Sequence, residues 1–595
     1  MFRLNPLIRP IPCLLAAVAS AALLAACSGD VPTKPGNPVA AAQPGGPLQR
    51  DTLVIATLQD AKDMLYLVSQ STIDGAINEM TDFAPMDADF NCKIAYQPQL
   101  AASWQFSDDG KSITVHLRDD ITWEDGQPVT ADDYKYTYDL AADPAVASPR
   151  LTMLAHMVPN ARPKVIDPHT VEFDFQDAYD RTTMLSHIGL PLVPKHILDV
   201  PGFDKASLRG HVINSSAPLS NGPWHVVSWD KNAKIVLEPN PKFTGPKSFI
   251  PKLKRVIFKV IPEYETRLLE LENGSVDLMD QVQVADADKL AAEHPEIQLK
   301  RRGWRTMDNV LWNNIDPDDY KAKRAALTAA GKTGEKPSDL KPNRIFGDRA
   351  VRRALASAID VDKLIKDLLT SQATGEVYGR PAIGTITPSL CGAHNDNVKR
   401  FAFDPASTIS QLKDLGWTDT NGDGWLDKDG QPMRFTMITN SGNARRQKAA
   451  VIIQANLKAI GVDMQIEQLE TNTFFDRLRA RDFDAALSGW SAGLLIDPGQ
   501  FWAPNSEFNF TSYHNDHVDD LIAQGMSQPD YDQAKPIWQD LQQTIYDDQP
   551  YAFLYWMDEI VAVNNRFQNT AIDISSSYRK LYQWSVPVDK VKYQQ

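Results

Sequence analysis

The stretch SWQFSDDGKSITVHLRDDITWEDGQPVTADDYKYTYD, residues 103–139, determines how the rest of the chain is interpreted. Apolar residues alternate with polar ones over 113–117, and this period of two predicts a half-buried strand. The Asp-Asp-Gly at 108–110 predicts a hairpin turn before that strand, and the Asp-Gly at 125–126 predicts a turn after it. Thr130 stands where a helix N-cap is expected. The stretch therefore predicts a hairpin followed by a turn and a helix.

The same period of two recurs at 53–57, 171–175 and 256–260, and each stretch predicts a further strand. In the C-terminal half, alternation at 433–437 and 462–466 flanks a helical stripe that ends at Gly461. This strand-helix-strand unit is expected to be parallel and right-handed. A second helical stripe follows Asp348, a candidate N-cap. The chain is predicted to be an α/β protein.

Length and charge set limits on the possible functions. A chain of 595 residues is too long for one hydrophobic core, so two or three domains are expected. The net charge of -15 argues against general affinity for nucleic acid or anionic lipid.

The first residues predict export. Arg3 and Arg9 precede an apolar run from Leu14 to Ala26, which is too short to span a bilayer but fits a signal peptide. The run ends in Leu-Ala-Ala-Cys27, which resembles the lipobox of bacterial lipoproteins. That resemblance implies removal of residues 1–26 and acylation of Cys27. The alternative is an ordinary signal peptide with an incidental cysteine. Residues 27–50 are expected to form a flexible tether.

Two cysteines, Cys92 and Cys391, remain in the mature chain. The compartment is oxidising, so a disulfide between them is one expectation. Two free buried thiols are the other, because a bridge between moving parts would oppose their motion.

Gly489-Trp490-Ser491-Ala492-Gly493 matches the nucleophile elbow of serine hydrolases. That elbow needs a helix directly after the serine, and Pro498 opposes one. The histidines that follow Ser491 are His514 and His517, which lie too close to it for the usual order of a catalytic triad. We therefore predict no catalytic residue. A serine hydrolase lipoprotein that uses Ser491 is kept as the alternative from another class.

Other motifs are also interpreted as structural. Residues 419–430 imitate a calcium-binding loop, but Gly430 replaces the glutamate required at the last position. A turn is predicted there, and another at 514–517. Residues 316–343 are predicted to be a long polar loop inserted in the fold. No metal site and no cofactor are predicted.

Several of these stretches together resemble one family. Besides 103–139 they are NGPWHVVSWDKNAKIVLEPNPKF, VRRALASAIDVDKLI, LKDLGWTDTNGDGWLDKDGQP and FDAALSGW, at 221–243, 351–365, 412–432 and 483–490. Their order and content are similar to family 5 extracellular solute-binding proteins, the oligopeptide- and dipeptide-binding components of ABC importers.

The resemblance implies a two-lobed, periplasmic-binding-protein-like fold of type II, with a hinge and an extra inserted domain. Lobe I would comprise 51–80, 215–310 and 555–595, the inserted domain 81–214, and lobe II 311–554. Ligand would bind between the lobes, which close around it by a hinge motion.

The function implied is that of a monomeric, lipid-anchored substrate-binding protein in the cell envelope. It would capture an oligopeptide-like solute and deliver it to the permease and ATPase subunits of an ABC transporter. Alternatives are import of an oligosaccharide or a metal chelate, and an envelope chaperone or signalling binder that has no permease.

The resemblance also implies cleft residues. In lobe II they are Trp490, Ser491, Gly493, Asp497 and Trp502, and in lobe I they are Asn221, Trp224, Asp280 and Trp304. Peptide-binding relatives typically carry an Asp three residues after this Trp, which pairs with the α-amino group of the peptide. Gly493 occupies that place here. Either Asp497 or Asp280 is expected to take over that role, or the ligand is not a peptide with a free N-terminus. For Trp224 a core position is the alternative.

Overall fold

The computed structural model describes residues 51–593 except 155–156, 158–162, 217, 391, 505, 507 and 529–530. The predicted signal peptide, tether and acylated Cys27 lie outside the described residues. Across the described part of the chain, every helix is too short or too polar to cross a membrane.

Nineteen strands are described. They are β1 (Thr52–Thr57), β2 (Met86–Asn91), β3 (Lys93–Pro98), β4 (Ala101–Phe106), β5 (Ser112–Leu117), β6 (Lys164–Asp167), β7 (Thr170–Asp174), β8 (Trp224–Asp230), β9 (Lys234–Pro239), β10 (Arg255–Val260), β11 (Leu278–Val282), β12 (Ile297–Trp312), β13 (Gly379–Pro381), β14 (Asp427–Lys428), β15 (Gln431–Pro432), β16 (Arg434–Asn440), β17 (Asp463–Leu469), β18 (Ala485–Ser491) and β19 (Tyr551–Asn564).

Fifteen α-helices are described. They are α1 (Thr72–Thr81), α2 (Ala131–Ala142), α3 (Arg181–His187), α4 (Lys195–Leu198), α5 (Tyr264–Glu272), α6 (Val284–Glu293), α7 (Pro317–Ala329), α8 (Arg349–Ser357), α9 (Val361–Leu368), α10 (Pro405–Asp414), α11 (Ala444–Lys458), α12 (Thr471–Arg479), α13 (Gly499–Trp502), α14 (Asp516–Met526) and α15 (Tyr531–Asp548).

One 11-stranded sheet runs through the molecule in the order β17-β16-β18-β12-β19-β11-β1-β10-β9-β8, with β13 added beside β19. The two longest strands, β12 and β19, lie at its centre and pair with each other. Lobe I is built around the β8 end of the sheet and lobe II around the β17 end. The two central strands therefore belong to both lobes.

Each part of the fold has its own apolar core. The lobe I core includes Trp224 and Phe258, and two further cores cover the two faces of the lobe II part of the sheet. A separate core is formed by residues from Leu65 to Ile213. It includes residues of α2 and of the four-stranded sheet β4-β5-β7-β6. The boundaries predicted for the three domains stay predictions.

Local predictions are confirmed where a turn or cap has clear chemistry. Gly110 and Gly126 adopt positive φ, at 68° and 91°, in the two predicted turns. Thr130 and Asp133 form a capping box at the start of α2. Asp348 caps α8 by accepting from the backbone N–H of Ala350. β16 and β17 pair in parallel around α11, as the strand-helix-strand pattern predicts.

The prediction of a polar loop at 316–343 is wrong for its first half. α7 occupies Pro317–Ala329, with Asp316 as N-cap and Pro317 in the first turn. Tyr320 is its one buried residue. An exposed helix needs no apolar stripe, so hydrophobic periodicity could not reveal it.

Candidate ligand cleft at the hinge

The lobes join where β12 changes its pairing. Ile297 to Arg302 pair with β19 on the lobe I side, and Thr306 to Leu311 pair with both β18 and β19 on the lobe II side. The register shifts between Arg302 and Thr306, and Trp304 has a φ of +42° there. Such a bulge bends a strand and redirects its side chains. Residues 303–305 are therefore the hinge segment of β12.

Trp304 is held at this bend from two sides. Its backbone N–H donates to the Asp558 carboxylate over 3.2 Å, and its carbonyl accepts from the Thr387 hydroxyl. The ring is half-buried and packs against the lobe II core. The predicted cleft residue Trp304 therefore lies at the hinge itself.

Arg305 connects the two sides of the hinge. Its guanidinium donates to the carbonyl of Ala492, which follows β18, at 2.9 Å. It also donates to the carbonyls of Ile574 and Ser575, in the segment that follows β19. Burial, with the charge of Arg302, lowers the pKa of Arg305 to about 10, so this group stays cationic at neutral pH. Its partners among these contacts are carbonyls rather than carboxylates.

Glu79, Arg302, Arg305 and Arg579 form a hinge charge cluster. Glu79, on α1, is solvent-accessible although protein surrounds it on most sides, and this burial raises the pKa of its carboxyl. A hydrogen bond from Ser576 and the charges of the three arginines oppose the shift. Arg302 also pairs with Glu559, and Arg579 pairs with Asp87. The cluster places accessible charges of both signs beside the hinge.

Asp82 lies three residues after Glu79, at the C-cap of α1. It is partly exposed, but burial raises the pKa of its carboxyl to about 8, and the Thr81 hydroxyl is the group that stabilises its anion. Among the described ion pairs, none involves Asp82. Desolvating a carboxyl group that has no cation nearby costs folding stability. Carboxyl groups with such a shifted pKa are typical of sites that bind a partner.

The loop after β18 forms the lobe II side of the site. Trp490 is half-buried, and its ring packs against Phe501, Phe508 and Phe510, with centroids 5.1, 5.6 and 5.5 Å away. Ser491 and Gly493 are exposed just beyond it. A phenylalanine cage fixes the position of Trp490, so the next residues start from a rigid base.

This arrangement was compared with known proteins. Residues 95–512 match the family described as bacterial extracellular solute-binding proteins, family 5 middle. The chain belongs to that family. It is 26% identical over 552 residues to the oligopeptide-binding protein AppA of Bacillus subtilis, which is 91% of this chain and 92% of AppA. It is 24% identical to the probable D,D-dipeptide-binding periplasmic protein DdpA of Escherichia coli, over 78% of this chain and 80% of that protein.

Solved structures of the family show the same fold. AppA of Bacillus subtilis in complex with a nonapeptide superposes with a TM-score of 0.78 at 24% identity, covering 91% of this chain and 100% of that one. NikZ of Campylobacter jejuni in complex with Ni(L-His) gives 0.74 at 22% identity, covering 90% of this chain and 100% of that one. This solute-binding protein therefore has the predicted two-lobed, type II fold.

Three predicted lobe I residues of this solute-binding protein have contacts within the fold. Trp224 lies in the lobe I core at 1% exposure, so the cleft position is wrong for it. Asn221 is buried, and its side-chain oxygen accepts from the backbone N–H of Phe83. Asp280 is held by the hydroxyls of Ser577 and Tyr578. Asn221 and Asp280 therefore already have hydrogen-bond partners within the fold.

The predicted lobe II residues Trp502 and Asp497 differ from each other in burial. Trp502 is fully buried, and its indole N–H donates to Thr385 at 3.1 Å, so it belongs to the core beneath the loop. Asp497 is partly exposed, and it accepts from the Gln500 amide at 3.1 Å. Asp497 thus stays a predicted cleft residue, whereas Trp502 supports the loop from below.

The motifs interpreted as structural form no elbow and no calcium loop. Ser491 ends β18, but the next helix, α13, begins at Gly499 and has only four residues. The Asp419 carboxylate accepts from the backbone N–H groups of Gly422 and Gly424, which is an Asx-type turn. His514, Asp516 and Asp519 lie close enough to share a metal ion, but the group is exposed and ion-paired within itself.

Cys92 is disulfide-bonded and exposed at the tip of the β2–β3 hairpin. Cys391 lies outside the described residues. The pairing of Cys92 with Cys391 stays a prediction.

Sequence reasoning missed the hinge charge cluster and Asp82. Its members come from α1, β12 and the segment after β19, so no local pattern unites them. One signal was present in the sequence: KRRGWR at 300–305 concentrates four cations around Gly303 and Trp304 in an otherwise apolar strand pattern.

Proposed function

We propose that this protein is the extracytoplasmic receptor of an ABC importer and binds an oligopeptide-like solute between its lobes. The observation that carries the proposal is the accessible, mixed-sign hinge charge cluster, with Asp82 at the end of the helix that carries its member Glu79. A peptide carries an ammonium group at one end and a carboxylate at the other, and both must be paired once water is excluded. The relative AppA, solved with a nonapeptide, supports this ligand class.

The charges divide into two kinds. Asp82 and Glu79 suit a ligand ammonium group, and Asp82 lacks a cation of its own among the described ion pairs. Arg305 is a guanidinium bound to carbonyls, and it suits a carboxylate or a peptide carbonyl. Because Gly493 replaces the family's aspartate, we propose that recognition of the α-amino group moves to the α1 side of the cleft.

The first test identifies the ligand directly. Protein purified without refolding is analysed by native mass spectrometry, and the released solute is sequenced or fragmented. A set of bound peptides is expected. Release of an oligosaccharide or a metal chelate instead would replace the peptide proposal by the corresponding alternative.

The second test concerns the ligand ammonium group. Calorimetric titration compares peptides with free and with acetylated N-termini on wild type, Asp82→Asn and Asp120→Asn. Asp120 is an exposed, ion-paired carboxylate of the inserted domain and serves as the matched control. We expect acetylation to weaken binding about tenfold or more in wild type and in Asp120→Asn, but little in Asp82→Asn. Equal losses in all three proteins would exclude Asp82 as the ammonium partner.

We also propose that Cys27 carries the lipid anchor. Support comes from the Leu-Ala-Ala-Cys sequence and the Pro-, Gly- and Ala-rich residues 28–49. The wild-type protein is expected to partition into detergent with an acylated N-terminal peptide. Cys27→Ser is expected to be released in soluble form or retained with an uncleaved signal. A wild-type N-terminus without acyl groups would contradict the anchor.

A further inference from the structure

The β2–β3 hairpin stands apart from the other sheets. Its two strands pair only with each other among the described strands, with Cys92 at the turn. Each strand has six residues and is about 20 Å long, and Met86 and Tyr96 pack against the core of the inserted domain. An isolated two-stranded hairpin is marginally stable in water. This hairpin therefore depends on what it contacts at its base and at its tip.

The tip of the hairpin contacts lobe II. Phe90 is the one large apolar residue of β2 near the tip, and its ring packs into a socket in lobe II. The buried members of this socket are Ile386, Leu390, Ala393, Met526, Ala534 and Trp538. Ile496, in the loop that follows Trp490, packs against the same socket. The tip and the loop predicted to form the lobe II side of the cleft therefore pack against the same socket.

The base of the hairpin contacts lobe I. Asp87 forms an ion pair with Arg579, a member of the hinge charge cluster. Arg579 is 17% exposed and Asp87 is 29% exposed. The hairpin therefore begins at the charged wall of the cleft and ends at the opposite wall.

A second element of the inserted domain lies near the same loop of lobe II. His187, at the end of α3, is buried, and its ring nitrogen contacts the carbonyl of Thr183 and the hydroxyl of Ser186. The negative charge of Asp497 acts on His187. Two separate elements of the inserted domain therefore lie near residues 496–497.

We propose that the β2–β3 hairpin is a strap that closes one end of the cleft, with Phe90 as its latch, and that it limits the length of the enclosed ligand. This inference rests on the proposed function. Ligand exchange then requires Phe90 to leave its socket, which exposes both apolar surfaces to water. A ligand too long for the closed space would prevent Phe90 from docking and would bind more weakly.

The test is a peptide length series of two to twelve residues, read by tryptophan fluorescence. Wild type, Phe90→Ala and Ile166→Ala are compared. Ile166→Ala truncates a residue of the same domain that is 59% exposed, and it serves as the matched control. All proteins are kept in a dithiol reductant so that the Cys92 disulfide does not hold the hairpin in place of Phe90. We expect Phe90→Ala to release short peptides about tenfold faster and to lose the discrimination against long ones.

Phe90→Leu, which keeps an apolar side chain, is expected to restore most of the slow release. Thermal melts without ligand exclude misfolding as the cause. Equal release rates and equal length profiles for wild type and Phe90→Ala would overturn the strap.

A readout without ligand separates this inference from the proposed function. Dyes at Ile166→Cys and Lys413→Cys, exposed positions of the inserted domain and of α10, report the distance between the inserted domain and lobe II. Phe90→Ala is expected to widen the distance distribution. If wild type binds no peptide, the proposed function fails, but this distance measurement still tests whether the hairpin is a strap. Unchanged distances in Phe90→Ala would overturn the strap proposal.

Discussion

Two charge clusters in this protein look similar in composition but differ in their surroundings. In the terminal cluster, Arg566 lies between the carboxylates of Asp51 and Asp277, and all three residues are at most 7% exposed. In the hinge charge cluster, Arg305 and Arg579 lie near Glu79. These residues are partly or fully accessible to solvent.

Hydrogen bonding separates the two clusters further. Arg566 donates to both oxygens of Asp277, at 3.1 and 2.9 Å, and to the carbonyl of Thr52 at 2.7 Å. Backbone N–H groups of Lys592 and Tyr593 complete the shell of Asp51. Arg305 reaches only carbonyls among the described hydrogen bonds. A saturated, enclosed cluster stabilises a fold, whereas an accessible cluster whose cation is held by carbonyls is available for a ligand.

The largest effect on stability is expected from removing the cation of the terminal cluster. Arg566→Ala leaves two buried carboxylates without a cation, so we expect the free energy of unfolding to fall by about 3–5 kcal/mol. Chemical denaturation measures the loss. Ligand affinity per folded molecule should not change. If Arg566→Ala is stable but binds ligand more weakly, the terminal cluster serves binding rather than stability, which would contradict the proposed difference between the two clusters.

The next largest effect is expected from the hinge charge cluster. Arg305→Ala removes charge-assisted hydrogen bonds to a ligand, so affinity should fall roughly tenfold to hundredfold. Titration calorimetry with the co-purified ligand measures the loss. Arg118→Ala, which breaks an exposed ion pair with Asp120, is the control and should bind like wild type. If both variants bind equally well, the accessible charges have no role in binding.

A smaller effect concerns Asp82. In the folded protein its pKa is about 8, against an ordinary value of 3.8, so between these values the folded state keeps a proton that the unfolded state has lost. Stability contributed by this group is therefore lost as pH rises through that window. Asp82→Asn should stabilise the ligand-free protein by about 1 kcal/mol at pH 8, allowing for solvent screening, and by little at pH 4. A gain that does not depend on pH would contradict this assignment.

The smallest effect is expected at Ser491, which is accessible but uncharged. Ser491→Ala should shift stability by less than about 0.5 kcal/mol and leave peptide affinity within about twofold. A generic ester assay is expected to give the same background rate for wild type and variant. Hydrolysis abolished by this single change would instead support the serine hydrolase alternative.

The sequence predicted those parts of the fold whose signal is local. The caps at Thr130 and Asp348 and the β16–α11–β17 unit follow from turn chemistry and periodicity within a few residues. Trp224 and Trp490 show where local reasoning ends. Both stand on strands at glycine-containing motifs, yet Trp224 is fully buried and Trp490 only half-buried, because burial depends on what packs against each strand.

The site could be predicted only in part. The loop 490–497 follows from family motifs within one short stretch. Glu79, Arg305 and Arg579 are more than 200 residues apart from one another in the sequence and meet only because β12 and β19 are paired. A contact that depends on sheet pairing leaves no pattern along the chain.

The terminal cluster also has a consequence for biogenesis. Asp51, the first described residue, is held by Arg566, Lys592 and Tyr593, near the end of the chain. Strand β1 therefore cannot reach its final environment until almost the whole polypeptide has been synthesised. Closure of this end of the sheet is therefore expected to be a late step in folding.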